Sequence, residues 1–260
     1  MYAFCLQLIA FWSVWRYLAL RYALFGEDVW GIISLGCIIG FSIFWQSKQA
    51  KVQTKSSAFF LAAFFLLTYA ASFVIAPPLL RAVLAMISLT FFLSGWRYGT
   101  LFHTGIFALL LLSLPLMASL NFFIGFPLRV IVGEAVKYLL QLQGLEVIRE
   151  GVCLHFGEKL IWIDAPCSGI KMLWFGMFLT GCLICIYELK FWKSVTAFAL
   201  AFATIIVGNI FRASALFYTE AEIIQAPVWM HEAVGVFSFA LTAVGIIFIV
   251  KQFAELRCQK

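Results

Sequence analysis

The chain has 260 residues, of which 64% are hydrophobic and only 12% are charged. A water-soluble domain carries about 25% charged and about 45–50% apolar residues, so this composition excludes a soluble globular protein and predicts one that folds in a bilayer. Eighteen Lys and Arg against 12 Asp and Glu give a formal net charge of +6. Because no basic cluster with interleaved aromatic residues occurs, we expect this excess to set membrane orientation rather than to bind nucleic acid.

The N-terminal segment and the cysteines give little sign of processing or of a metal site. The stretch "MYAFCLQLIAFWSVW" lacks a basic region before its apolar run and an Ala-x-Ala site after it, so we expect no cleavable signal peptide. Cysteines inside apolar runs, such as Cys182 and Cys185, favour packed thiols over a disulfide framework. No His and Cys residues have zinc-site spacing, so we predict no metal and no cofactor.

Long apolar segments predict the fold class. A membrane helix needs about 20 mostly apolar residues. The candidate segments are 3–24, 29–46, 57–76, 79–95, 99–118, 167–187, 191–217 and 229–250. The sequence therefore predicts an all-α integral membrane protein with about eight transmembrane helices. Residues 1–260 are expected to form a single membrane domain, in which 1–118 hold five spans, 119–166 form an outer segment and 167–250 hold three spans.

Charged residues in the short loops predict the orientation, because Lys and Arg accumulate on the cytoplasmic side. With the N-terminus inside, the inner loops and the C-terminal tail contain Lys48, Lys51, Lys55, Arg97, Lys190, Lys193, Lys251, Arg257 and Lys260. The short outer loops hold Glu27 and Asp28, then Pro77 and Pro78 with the single basic residue Arg81, then Glu220 and Glu222. We therefore expect both termini in the cytoplasm, a multi-pass protein in the cell membrane, and segment 119–166 facing outward.

The outer segment has structural signals of its own. "PLRVIVGEAVKYLLQLQG" (127–144) begins with proline and ends with glycine, and its apolar residues recur at helical spacing. It predicts an amphipathic helix at the outer interface. Residues 145–164 then give three short β-like runs separated by Glu150-Gly151 and Gly157-Glu158. These are hairpin turn signals, so we expect a small β-meander.

Cys167 follows this meander, at the predicted outer start of the sixth span. Unpaired N–H groups and the positive end of the helix dipole lower a thiol pKa at such a position. Ser168 and Gly169 leave room for a substrate backbone to approach. Lys171, four residues after Cys167, shares its helix face and could add positive charge.

Two further reactive residues are predicted at the same membrane face. Arg212 lies near the outer end of the seventh span, where a charged side chain is costly and needs a partner or a purpose. Asn209 lies one turn earlier and can share its hydrogen bonding. His231 lies in the first turn of the eighth span, where neutral imidazole is a natural general base. Each has an ordinary reading, as packed thiol, snorkelling arginine or surface histidine, but their joint placement predicts one site.

The sequence resembles the exosortase/archaeosortase family of multi-pass membrane cysteine transpeptidases. The matching motifs are "APCSGIKML" (165–173), "NIFR" (209–212) and "HEAVG" (231–235), and the resemblance covers roughly 121–240. It implies that Cys167 is the nucleophile, Arg212 an essential cation and His231 the third catalytic residue. It also implies that the substrates are exported proteins with a C-terminal motif, a membrane helix and a basic tail, cut near the outer face and transferred to a surface acceptor.

A mechanism follows from this resemblance. His231 takes the Cys167 proton, Arg212 stabilises the oxyanion, and an acyl-enzyme forms. Asp164 and Glu232 are candidates to orient His231 or Arg212. The outer helix and the meander are expected to form the sides of a cleft that admits an extended peptide.

Three alternatives remain at this stage. A transporter or channel would use Arg212 and His231 to line a polar pathway, and it predicts further polar residues at mid-membrane and paired broken helices. A hydrolase of the same design would use water as acceptor. A structural membrane protein would have no chemistry at all. Apart from protein substrates, only membrane lipid is predicted as a partner.

Overall fold

The computed structural model describes residues 2–43, 55–163, 169–227 and 229–255, and these are predominantly helical. Asp164, Cys167 and Ser168 lie outside the described residues. The chain divides into two compact units, one comprising 1–116 and 181–195 and the other 117–180 and 196–260. A single membrane domain over 1–260 stays a prediction.

Helices make up the regular structure described for the first part of the chain. In order they are α1 (Tyr2–Ala10), α2 (Trp12–Leu24), α3 (Trp30–Ile43), α4 (Ser56–Ala71), α5 (Pro78–Leu93) and α6 (Thr104–Leu112). A 3-10 turn over Ser72–Val74 extends α4, and a π-turn over Ser94–Tyr98 extends α5. Pro78 begins α5, where the N–H that proline lacks would have no partner inside the helix.

An ion pair accounts for one of the two arginines in the first predicted span. Nη2 of Arg21 donates to Oδ2 of Asp28 at 2.8 Å, and the Arg21 guanidinium lies 4.1 Å from the ring centroid of Phe25. Asp28 is only 4% exposed and lies in the 3-10 turn Gly26–Val29, which follows α2. The charge in the apolar segment is therefore neutralised by the loop that follows it.

The structure does not confirm eight spans. Within the described residues, five helices are long and apolar enough to cross a membrane: Ser56–Val74, Pro78–Tyr98, Ile170–Tyr187, Phe191–Glu220 and Met230–Glu255. A sixth is added if the interrupted pair Thr104–Leu112 and Met117–Leu142 counts as one span.

Two predicted spans that are not confirmed have a helix that is interrupted or whose described part is short. Segment 3–24 is broken between α1 and α2 at Phe11, which has φ −90° and ψ 20°. The described part of segment 29–46 is a helix of 14 residues. At 1.5 Å per residue it is about 21 Å long, less than the ~30 Å hydrocarbon core.

The second unit contains the outer segment and the motif-bearing helices. Its elements are α7 (Met117–Leu120), a π-turn (Asn121–Gly125), α8 (Phe126–Leu142), β1 (Val147–Glu150), β2 (Cys153–Phe156), β3 (Lys159–Trp162), α9 (Ile170–Tyr187, of which 170–180 belong here), α10 (Phe191–Glu220, from 196 onward) and α11 (Met230–Glu255). Helix α8 occupies the predicted 127–144 segment, while its position at the outer interface stays a prediction.

The strands form the predicted meander. They are antiparallel in the order β1-β2-β3, with Ile148 opposite His155 and Leu154 opposite Ile161. Each turn has two residues and begins with a glycine at positive φ, +61° at Gly151 and +57° at Gly157. Glycine at the first turn position is what a type II′ hairpin requires, and the sequence signal is read correctly here.

A shared apolar core holds α8, the sheet and the end of α10 together. Its buried residues are Val132, Val136, Leu140, Val147, Leu154, Ile161, Ile163, Phe217 and Ala221. The α8 residues recur every four positions and so form one helix face, which packs on the sheet. Glu134 adds polar contacts beside this core, because it pairs with Lys137 on its own helix and with Nε of Arg149 on β1 at 2.5 Å.

Candidate functional site

Helices α10 and α11 pack closely in an antiparallel register. Gly208 lies directly against the Thr242 side chain, and Gly245 lies against Thr204, where an added Cβ would meet Cγ2 at 3.2 Å. Small residues let helix backbones approach in this way in a membrane. The paired residue numbers therefore rise on α10 as they fall on α11.

The same register brings Arg212 to α11. A Cβ atom placed on Gly235 would lie 3.5 Å from Nε and 3.8 Å from Nη2 of Arg212. The guanidinium thus occupies the space that a larger side chain at Gly235 would need. Gly235 comes one helical turn after His231 in the chain, so Arg212 lies beside the turn that carries the histidine.

The segment just after Cys167 contacts α10 one turn before Arg212. Gly169 has φ +80°, and an added Cβ there would stand 2.7 Å from the Asn209 side chain. Asn209 is only 2% exposed. Glycine is therefore required at 169 both for its backbone conformation and for this close approach. Cys167 itself, two residues earlier in the chain, lies outside the described residues.

A cavity of about 420 Å³ lies next to these residues. Among the described residues, its lining comes from α8, the sheet, the C-terminal part of α10 and the start of α11: Val136, Leu154, Leu160, Ile161, Trp162, Ile163, Ala213, Leu216, Phe217, Glu220 and His231. Ala213 directly follows Arg212, and His231 is exposed toward solvent. Most of these side chains are apolar, while Glu220, His231 and backbone groups add polar surface, a combination that suits a peptide chain.

An ion pair that sequence reasoning missed joins β3 to the end of α10. Nζ of Lys159 donates to the carbonyl oxygen of Ala221 at 2.9 Å and to Oε2 of Glu222 at 2.5 Å. The hydrogen bond from Lys159 lowers the pKa of Glu222. No local pattern could have revealed this pair, because 63 positions separate its members. It ties the strand that lines the cavity to the helix that carries Arg212.

Two of the remaining predicted residues, Lys171 and Glu232, lie at the starts of α9 and α11. Lys171 is exposed in the first turn of α9, and Glu232 is exposed in the first turn of α11. Neither is among the described residues that line the cavity. Glu220, which lines it, was read from sequence only as a loop charge. The roles proposed for Lys171, Glu232 and Asp164 stay predictions.

These features define a multi-pass membrane protein in which the described parts of α8, the sheet, α10 and α11 line a cavity that includes His231 and borders the turn of α10 with Arg212. The model of the transmembrane exosortase family (Exosortase_EpsH) matches residues 25–248, which is most of the chain. The chain therefore belongs to the transmembrane exosortase family, a family of membrane cysteine transpeptidases that act on exported proteins with sorting signals. The match extends well beyond the 121–240 that carry the motifs. No curated protein and no solved structure matches the chain.

Proposed function

We propose that this protein is a cysteine transpeptidase that cleaves the C-terminal sorting signal of exported proteins at the outer face of the cell membrane. The observation that carries the proposal is the contact of Arg212 with α11 at Gly235, one turn from His231. Arg212 on α10 thus lies beside the helical turn of α11 that begins at His231, which supports a shared role for the two residues. Gly169, the near chain neighbour of Cys167, contacts the Asn209 side chain one turn from Arg212.

The proposed reaction begins with transfer of the Cys167 thiol proton to His231. The thiolate attacks the scissile carbonyl carbon, and the oxyanion that develops is stabilised by the Arg212 guanidinium. His231 then gives its proton to the leaving amine, the C–N bond breaks, and a thioester remains on Cys167. The amine of a surface acceptor attacks this thioester, releases the thiolate and completes the transfer. Water in the same role would make the enzyme a hydrolase.

Only a short stretch of chain separates Cys167 from the Gly169–Asn209 contact. Two residues of extended chain span at most about 7 Å, so the Cys167 backbone stays tethered near the Gly169–Asn209 contact. The cavity next to His231 offers apolar walls for the peptide on either side of the scissile bond.

Capture of the thioester tests this proposal. The protein is purified from a host that also makes an exported candidate substrate with a C-terminal motif, membrane helix and basic tail. We expect a covalent conjugate on Cys167 that mass spectrometry assigns and hydroxylamine releases, because thioesters react with this nucleophile. A substrate that is shortened normally while every cysteine of the protein stays unmodified, even with the acceptor depleted, would contradict an acyl-enzyme mechanism.

Substitutions at Gly235 give a graded test of the Arg212 position. Alanine adds only an ordinary 3.5 Å contact with Nε of Arg212 and favours the helix, so Gly235→Ala is expected to keep substrate processing within about twofold. Leucine must displace the guanidinium, and misplacement by about 1 Å can cost ~10²-fold in rate. We therefore expect Gly235→Leu to slow processing by at least about tenfold at equal membrane abundance. Equal rates in both variants would mean that this contact has no part in the reaction.

A further inference from the structure

One edge of β3 carries backbone groups that the described sheet does not use. The two-residue turn after Phe156 makes Phe156–Lys159 a hydrogen-bonded pair, and the alternation of an antiparallel ladder makes Leu154–Ile161 the next one. The N–H and C=O groups of Leu160 and Trp162 therefore point away from β2. β3 is the last strand in the order of the described sheet. Its free edge, defined by Leu160 and Trp162, can accept another strand.

The cavity runs along this free edge. Leu160, Ile161, Trp162 and Ile163 all line it, although successive side chains of a strand point to opposite faces. The four residues include Leu160 and Trp162, whose backbone groups point to the free edge, and β2 occupies the opposite edge of β3. The side chains at the edge are accessible, since Leu160 is 45% and Trp162 is 58% exposed. Leu216 and His231 line the same cavity.

We propose that the substrate binds as an added β-strand on the free edge of β3, which delivers its scissile bond to Cys167. This inference rests on the proposed function and specifies how the same site holds its peptide. β3 leads directly into the segment with Cys167, five residues after Trp162, and its edge borders the cavity that contains His231. A strand paired here would lie along the cavity that His231 lines.

In this mode of binding, the affinity for the substrate comes largely from backbone hydrogen bonds, which depend little on the substrate sequence. Pairing through Leu160 and Trp162 uses substrate N–H and C=O groups, which every residue except proline provides in full. Selectivity then comes from alternate substrate side chains. Those that point into the cavity contact Val136, Leu154 and Phe217, an apolar surface, while the intervening ones face outward. Apolar residues at alternate positions are thus expected on the substrate's cavity side.

Proline substitution at the free edge tests the pairing. Proline is tolerated on an edge strand when its missing N–H points away from the ladder. Leu160→Pro and Leu160→Ala both lose the leucine side chain, but only the first loses the amide donor. We expect Leu160→Pro to process substrate at least about fivefold more slowly than Leu160→Ala, as the loss of one backbone hydrogen bond predicts. Ile161→Pro, which removes a donor to Leu154, serves as the reference for a disrupted sheet and lower membrane abundance.

Modified peptides provide a test that leaves the protein intact. Synthetic peptides that span the cleavage site found by thioester capture are N-methylated at one amide each and used as competitors with the whole membrane protein. Strand addition predicts that potency falls at every second position and is kept between them. Uniform loss, no loss, or equal processing by Leu160→Pro and Leu160→Ala would overturn the inference. Because Cys167→Ala would still be inactive in those cases, the proposed function would survive them; a fully active Cys167→Ala would remove both.

Discussion

Replacement of Cys167 by alanine is expected to abolish substrate processing. Removal of a catalytic nucleophile costs up to about 10⁶-fold in rate, because no other group can form the covalent intermediate. The expected result is an exported substrate that stays at full length and membrane-anchored. Immunoblots of membrane and surface fractions measure this directly, with the abundance of the variant in the membrane checked on the same samples.

Cys153→Ala is the matched control. This thiol lies on β2 in the same outer segment and is 9% exposed, and it is not among the residues that line the cavity. We expect it to process substrate normally. If Cys167→Ala processed as well as Cys153→Ala, the thiol at 167 would be a packing residue, and the transporter interpretation of Arg212 and His231 would become the stronger one.

Loss of the Arg212 charge is expected to have the second largest effect. Removal of one oxyanion donor typically lowers kcat by about 10²–10³-fold, and Arg212→Gln removes the charge while keeping a polar side chain of similar length. Arg212→Lys keeps the charge but loses the planar guanidinium group that lies beside Gly235, so we expect an intermediate rate. Rates of thioester formation measured after mixing enzyme and substrate separate this step from acceptor transfer.

Arg129→Gln provides the comparison within the same unit. Nε of Arg129 donates to the carbonyl oxygen of Gly125 at 3.3 Å, and the side chain is partly buried on α8 without lining the cavity. We expect this variant to keep nearly full activity. If Arg129→Gln and Arg212→Gln lost activity equally, at equal abundance, the effect would be a general cost of removing an outer arginine rather than stabilisation of the oxyanion.

The contact between Gly169 and Asn209 joins the last residue of the "PCSG" motif to the first residue of the "NIFR" motif. The left-handed backbone at Gly169 and the buried Asn209 amide fit each other closely enough that a single methyl group would collide. These two motif ends are therefore joined by packing. Sequence reasoning assigned Gly169 to substrate access, and the structure adds this helix contact.

Much of the outer segment could be predicted from sequence because its signals are local. The turns of the meander depend on Gly151 and Gly157, whose positive φ few other residues tolerate. The apolar face of α8 follows from residues four positions apart. By contrast, the Lys159–Glu222 ion pair and the Arg212–Gly235 contact join residues far apart in the chain, and no periodicity encodes them.

Hydropathy alone does not give the number of membrane spans. Apolar composition measures the preference of a segment for lipid or core over water, and segments 3–24 and 99–118 satisfy it. It does not say where a helix breaks. The interruption at Phe11 and the end of α6 at Leu112 are features of the folded chain that the hydropathy of these segments does not mark.

The sequence by itself therefore determined that the protein folds in a bilayer, and it determined the family motifs and the local structure of the outer segment. With 64% hydrophobic residues the chain must fold in a bilayer, and turn and helix signals act over a few residues. Only the tertiary structure decided that Arg212 lies beside the turn carrying His231. That placement depends on the antiparallel register of α10 and α11, which close packing at Gly208, Gly235 and Gly245 fixes between segments that meet only when the chain is folded.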